Sequence, residues 1–308
     1  MFDNVTLKVY GLPKNYILSK KVEGVFRSDE NTFSGRIRNM GIYKNLNGLR
    51  IYGSLAKYLQ GENITPLSRD GFRQGIEELE QDIGLSLKTA ILTSVEFGTS
   101  ITLSEKPFEY LNLFGHTKRL TRVEYSKWAG VETVSYVSKT GSFEFTGYDK
   151  IKEMLDRGQE IPPLFANSNV LRLEYRIRQR RGIIAKFNGD LLACELFGER
   201  IYQKFQKLFY DDYKSIEKMG QLVYVDTSKN ITPSLIQRLF AEQYRQSNHK
   251  DCQHFLQQLD AAGKLSPKSR ERLRAENKRL GNDIAVSDKS PLIKELDGFV
   301  YERMRFGA

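Results

Sequence analysis

Within residues 91–103, ILTSVEFGTSITL, the stretch from Val95 to Leu103 alternates between an apolar and a polar side, with Thr99 the exception on the apolar one. A run of that length with period two reads as a β-strand that lays one face on a core. Val95, Phe97, Ile101 and Leu103 share one face with Thr99, and Glu96, Gly98, Ser100 and Thr102 share the other. VLRLEYRIR, 170–178, sorts in the same way: Leu171, Leu173, Tyr175 and Ile177 form its apolar side, and Arg172, Glu174, Arg176 and Arg178 its polar side. In SFEFTGYDK, 142–150, Phe143, Phe145 and Gly147 alternate with Glu144, Thr146 and Tyr148. If these three strands belong to one sheet with a single core face, Glu96, Glu174 and Tyr148 project together from the opposite face.

Further strands are expected at 5–11, 33–38, 49–54 and 132–138, all rich in β-branched and aromatic residues and separated by Gly, Asn and Ser. The SKTGSF stretch joins the last of these to 142–148 as a hairpin. Between the strands, Phe72, Ile76, Leu79 and Ile83 recur at helical intervals, with Ser68 as N-cap and Gly84 as C-terminal stop. Beyond about residue 180 the pattern turns helical. ERIYQKFQKLFYDDYKSIEKMG is amphipathic, TPSLIQRLFAEQYRQ opens with Thr232 and Pro233, and SPKSRERLRAENKRLG opens with Ser266 and Pro267. The expected fold class is α+β, with an antiparallel sheet domain over 1–182 and a mostly helical DNA-binding or oligomerisation region over 183–308.

Composition narrows the function classes. No apolar run approaches the roughly 20 residues of a membrane-spanning helix, and MFDNVTLKVYGL reads as a strand rather than a signal peptide. Cys194 and Cys252 make neither a disulfide framework nor a zinc site. A cytoplasmic setting with no membrane partner is expected. The formal charge of +10 favours a polyanionic partner, because basic patches release counterions when they neutralise phosphates.

Two carboxylates, a tyrosine hydroxyl and arginines on one open face suit phosphoryl transfer. Carboxylates hold a hard divalent cation, and the cation polarises a phosphate that an oxygen nucleophile attacks. Each residue alone also has a plain structural reading. Glu174 between arginines fits a solvated cross-strand ion pair, Glu96 an exposed strand residue, and Tyr148 a strand-ending aromatic.

Two segments, YGSLAKYLQGEN (52–63) and YDKIKE (148–153), resemble elements of the rolling-circle replication initiators of small plasmids and filamentous-type phages. LTSVEFGTSI, LNLFG, VETVSYVS and NVLRLEYRI follow the family order, so the resemblance spans roughly 45–180. It implies a relaxase-like nicking domain in which a tyrosine attacks the origin, becomes joined to the 5′-phosphate and leaves a free 3′-OH as primer. Tyr148 matches the nucleophile, Glu174 and Glu96 match metal-binding acids, and family members more often carry Asp at the position of Glu96. Lys150 matches the lysine of the tyrosine element and is expected to offset charge on the phosphate, while Asp149 supports the turn. The His-hydrophobic-His pair of many nickases is absent; the three histidines are His116, His249 and His254. An all-carboxylate site favours Mg²⁺ or Mn²⁺.

The implied partner is origin DNA, as a single-stranded nick site with flanking duplex. A host helicase and a second copy of the chain are further candidate partners. Arg172, Arg176 and Arg178 are expected near the cut strand. Arg270, Arg274 and Lys278 fall on one face of a basic helix that suits duplex DNA or a solvated surface equally. Tyr125, Trp128 and Tyr136 are candidates for base stacking or for core packing. Gly147 is expected to admit the DNA backbone beside Tyr148. The second nucleophile, which closes the circle, is open between a partner's tyrosine, Tyr136 and an activated water. A mobilisation relaxase and a non-enzymatic basic DNA-binding regulator are the alternative functions.

Overall fold

Alternation along β6 (Ile91–Leu103) and β10 (Asn169–Ile177) makes these two strands the centre of a ten-stranded sheet. They pair antiparallel from Asn169 opposite Leu103 to Ile177 opposite Val95. The computed structural model describes residues 2–12, 19–29, 32–127, 130–218, 222–225, 268, 284–286 and 290–304. On one side of the centre lie β1 (Phe2–Val9), β5 (Gly48–Ser54), β4 (Met40–Asn45), β3 (Phe33–Ile37) and the edge strand β2 (Glu23–Arg27). On the other lie β9 (Phe143–Asp149), β8 (Gly130–Val137) and the edge strand β7 (Thr121–Lys127). Every pairing is antiparallel, so the class is α+β, as expected.

Helices α1 (Leu55–Gln60), α2 (Arg69–Ile83), α3 (Pro107–Leu111), α4 (Lys150–Asp156), α5 (Arg180–Phe187), α6 (Glu199–Ser215) and α7 (Pro291–Met304) complete the described residues, with a separate two-stranded pair at Leu222–Val225 and Ile284–Val286. Helix α2 starts and stops where expected. Ser68 Oγ accepts from Gly71 N at 3.0 Å, and Gly84 closes the helix at φ +73°, a conformation that favours glycine. Hairpin β8–β9 also forms, turning at Gly141 with φ +66°. Strands β2, β4 and β7 were not expected. They carry Gly, Arg, Glu or Lys in place of a clean alternation.

The core face is apolar and aromatic. Phe97 stacks on Phe205 of α6 with centroids 5.6 Å apart, and Phe145 meets Phe209 edge-on at 5.1 Å. Phe205 and Phe209, with Ile293, Leu296 and Val300 of α7, belong to the same buried cluster as Phe97 and Leu173. Among the described residues, then, the core continues past the expected boundary at 182/183. A helix's apolar stripe shows that it packs, but not on what. No helix among the described residues is long and apolar enough to cross a membrane.

The opposite face is not uniformly open. Ile64, Met154 and Val170 form a small second cluster, with Ile151 and Phe165 against it. Helix α4 and the segment after α1 therefore roof one end of the polar face, while the end toward Arg176 stays accessible.

Candidate active site

Strand register brings the polar side chains together. Across β10, Arg172 lies opposite Tyr148, Glu174 opposite Thr146 and Gly98, and Arg176 opposite Glu96. The Tyr148 hydroxyl donates to Glu174 Oε1 at 2.9 Å. The same carboxylate accepts from Arg172 Nε at 3.0 Å and from Arg176 Nε at 2.9 Å. Arg176 also lies 3.4 Å from Glu96. A Cβ on Gly98 would fall 2.9 Å from Glu174 Cγ and 2.4 Å from Leu173 O, so glycine there leaves the space that Glu174 fills.

A third carboxylate arrives from β1, and sequence reasoning missed it. Phe2 pairs with Phe97 and Val5 with Val95, so Asp3 and Asn4 together oppose Glu96. This is a β-bulge, and it aims two consecutive side chains at one face. Asn4 Nδ2 donates to Glu96. Asp3 accepts from Ser54 Oγ, from Asn63 Nδ2 at 2.8 Å and from Arg172 Nη2 at 3.1 Å. Oxygens of Asp3, Glu96 and Glu174 lie within 4.8 Å of one another.

The charges do not balance. Three carboxylates face the two guanidiniums of Arg172 and Arg176, and Glu96 carries the difference. Burial and the adjacent Glu174 charge push its pKa up to about 7, against the pull of Arg176 and Asn4. Glu174 behaves in the opposite way. Burial disfavours its charge, but Arg176 and Arg172 outweigh that and hold its pKa at about 2. The donor set is all oxygen and holds surplus negative charge, which fits a hard divalent cation.

Several expectations need correction. Burial and Glu174 raise the Tyr148 pKa well above the ordinary phenol value, outweighing the downward pull of Arg172 and Arg176. Lys150 does not face a phosphate. It is 1% exposed, donates to Asn63 Oδ1 at 2.9 Å and pairs with Glu153 at 2.8 Å. It is a strut that ties the tyrosine element to the segment after α1. Arg172, expected on DNA, is 1% exposed and fully engaged between Asp3 and Glu174. Arg176 is partly buried among carboxylates, and Arg178, half exposed, is paired with Glu144.

Gly147 lies on the core face, where a Cβ would come within 3.0 Å of Leu111 and of Leu173. It admits helix α3 rather than DNA. Tyr136 is also a core residue, donating to Gly115 O at 2.7 Å, so it neither stacks on bases nor attacks a phosphate. Asp149 caps α4 by accepting from Lys152 N at 2.9 Å, the turn support expected of it. Arg270, Arg274, Lys278, Trp128, His249 and His254 lie outside the described residues.

The two sequence elements that carried the resemblance meet at Asp3. Ser54 and Asn63 come from the first, and Lys150, which holds Asn63, from the second. Beside them a groove of about 430 Å³ opens along β8 and β9, lined by Tyr148, Thr146, Glu144, Arg176, Arg178 and, at 62% exposure, Tyr125.

The Phage_CRI family model, which describes the N-terminal part of a replication-associated protein, matches residues 3–196. The chain belongs to that family. The matched segment runs from Asp3 to Leu196 and holds Glu96, Tyr148 and Glu174, and membership makes the chain a replication-associated protein. A solved rolling circle replication initiator protein from Geobacillus stearothermophilus is similar at 10% identity and a TM-score of 0.35, covering 78% of this chain and 95% of that one. Comparison with curated proteins gives no match.

Proposed function

We propose that this chain initiates rolling-circle replication of a plasmid or phage as a metal-dependent, site-specific DNA nickase and strand transferase with Tyr148 as nucleophile. The observation that carries the reading is the Tyr148 hydroxyl held on Glu174, at a groove and beside the Asp3–Glu96–Glu174 cluster. Family membership supports a role in replication.

Tyr148 Oη forms the new bond to phosphorus, and the bond from phosphorus to the 3′ oxygen breaks. The phenol gives up its proton and the departing 3′ oxygen takes one up, leaving a 5′-phosphotyrosine and a free 3′-OH primer. Glu174, kept ionised by a pKa of about 2, orients the hydroxyl by accepting its hydrogen bond. Arg172 keeps Asp3 and Glu174 in place from below, and Arg176 holds Glu174 from the open side. Asp3, Glu96 and Glu174 would hold a divalent cation such as Mg²⁺ or Mn²⁺, whose charge would polarise the phosphate and favour phenolate. Lys150 and Asn63 hold Asp3 in register with the tyrosine element. The basic segment carrying Arg270, Arg274 and Lys278 is proposed to contact duplex DNA.

Supercoiled plasmid carrying the cognate origin, incubated with the protein and Mg²⁺, should convert to open circle with protein joined to the 5′ end. Added polymerase should then extend the 3′-OH. A DNA-binding regulator would retard the plasmid and break no strand, and a mobilisation relaxase would nick a transfer origin in place of this replication origin.

A further inference from the structure

Binding strength for a DNA strand has to come from somewhere other than the groove at Tyr148, whose lining carries more carboxylates than cations. The same sheet face offers a second surface. On this face of β1 to β5 the acids are Asp3, which is committed to the buried cluster, and Glu23 opposite Arg36, against the cations Lys8, Arg36 and Arg50. Register sets these side chains in rows. Phe26, Ser34, Tyr43, Arg50 and Lys8 are successive cross-strand neighbours, and Gly41, Tyr52 and Thr6 form the next row.

The aromatic residues here are exposed, Phe26 at 68% and Tyr43, Tyr52 and Tyr10 each at about two-fifths. Two of them lie under cations, with Arg50 5.2 Å from the centroid of Tyr52 and Lys8 4.5 Å from that of Tyr10. A Cβ on Gly41 would fall 2.5 Å from Cζ of Tyr52, so glycine there leaves room for the ring, which stays 43% exposed. Among the described residues, Lys8, Arg36 and Arg50 form no ion pair.

We propose that this open face of β3, β4, β5 and β1 is a single-stranded DNA track, stacking unpaired bases on Tyr43, Tyr52 and Tyr10 and holding phosphates with Arg36, Arg50 and Lys8. Exposed ring faces interleaved with cations match that ligand, because every base has a π-face and every linkage a charge. A duplex hides its base faces and would use only the cations. β5 lies four strands from β9, about 20 Å at the spacing of paired strands. A strand on this face therefore runs toward Tyr148 along the surface that carries Glu96. The proposal rests on the nicking function for its polarity but not for its binding.

The test uses two labelled single strands of origin sequence, a short one spanning only the nick and one longer by about ten nucleotides, within the site sizes of such surfaces. The protein carries Lys8→Ala, Tyr43→Ala and Arg50→Ala together, all exposed or half-exposed positions, and its fold is checked by circular dichroism. Fluorescence anisotropy should show about tenfold weaker binding of the long strand. Its salt slope should fall by about 1.4, at about 0.7 for each lost phosphate contact. Cleavage of the short strand should be unchanged. Equal affinity of wild type and variant for the long strand would overturn the track, and so would an equal loss on duplex of the same length. Wild-type protein that binds the long strand with the expected difference yet cuts neither strand would leave the track standing and remove the nicking function.

Discussion

The hydroxyl of Tyr148 on β9 donates to Glu174 on β10 at 2.9 Å, a diagonal contact between adjacent strands. Glu174 keeps both arginine partners without it, so Tyr148→Phe is expected to cost only about 1 kcal/mol of stability. The same change should abolish the nick and the 5′-phosphotyrosine adduct. Mass spectrometry of the adduct checks this, and an adduct that persists on another tyrosine would remove Tyr148 from the chemistry.

Asp3, a proposed cation ligand, makes its hydrogen bonds to Ser54, Asn63 and Arg172 and none to Tyr148. In a Tyr148→Phe background, Asp3→Asn should weaken Mn²⁺ binding at least tenfold by calorimetry, and EDTA should stop nicking by the wild-type protein. Full nicking in EDTA would sink the metal-dependent reading.

Arg172 separates buried structure from DNA contact. Arg172→Met leaves Asp3 and Glu174 buried beside each other with a counterion removed, and should lose about 3–5 kcal/mol in urea titration. Arg178→Met, at a half-exposed position, should instead leave stability nearly intact and lower the salt slope for a single strand by about 0.7. A stable Arg172→Met protein with a reduced slope would return Arg172 to the DNA surface.

Burial and the adjacent Glu174 push the Glu96 pKa up to about 7 in the fold, against about 4.3 in the unfolded chain. A raised carboxylate pKa favours the fold below about 4.3, and that contribution is lost as pH rises through about 7. Glu174, held at about 2, contributes above about 4.3 and loses its contribution as pH falls toward 2. Metal-free protein should therefore lose on the order of 1–2 kcal/mol between pH 5 and 7.5, allowing for the partial exposure of Glu96. Glu96→Gln should remove that slope in a series of thermal melts, and an unchanged slope would assign the effect to another group.

Gly98→Ala puts a Cβ 2.4 Å from the Leu173 carbonyl and 2.9 Å from Glu174 Cγ. The first contact is with backbone in a central strand and cannot swing away. We expect a loss of about 1–3 kcal/mol and, in protein that still folds, nicking reduced more than DNA affinity. Wild-type nicking by this variant would show that Glu174 has room to spare.

Alternation was enough to place Glu96, Glu174 and Tyr148 on one face, because period two follows directly from backbone geometry. It failed at Asp3, where FDNV read with strict period two puts Asp3 and Asn4 on opposite faces. The bulge that joins them is a property of pairing with β6, not of β1 alone. Arg172 and Lys150 read as solvent-facing cations because one strand cannot reveal a roof built from α4 and the Ile64 segment. Gly147 is different: its neighbours already placed it on the core side, and only its closeness in sequence to Tyr148 suggested DNA. Beyond 182, α6 was legible as a helix from its periodicity and α7 was not. The helices expected from Thr232 and Ser266 lie outside the described residues. That α6 packs on the core face of the sheet was not legible.

Asp3, Glu96 and Glu174 stand on β1, β6 and β10, three adjacent strands drawn from far-separated parts of the chain. Glu174 is the residue that accepts the Tyr148 hydroxyl, so a chain halted before β10 carries the tyrosine without that carboxylate. Pairings this distant also form late in folding. Under the proposed function, cutting power would therefore appear only with the finished sheet.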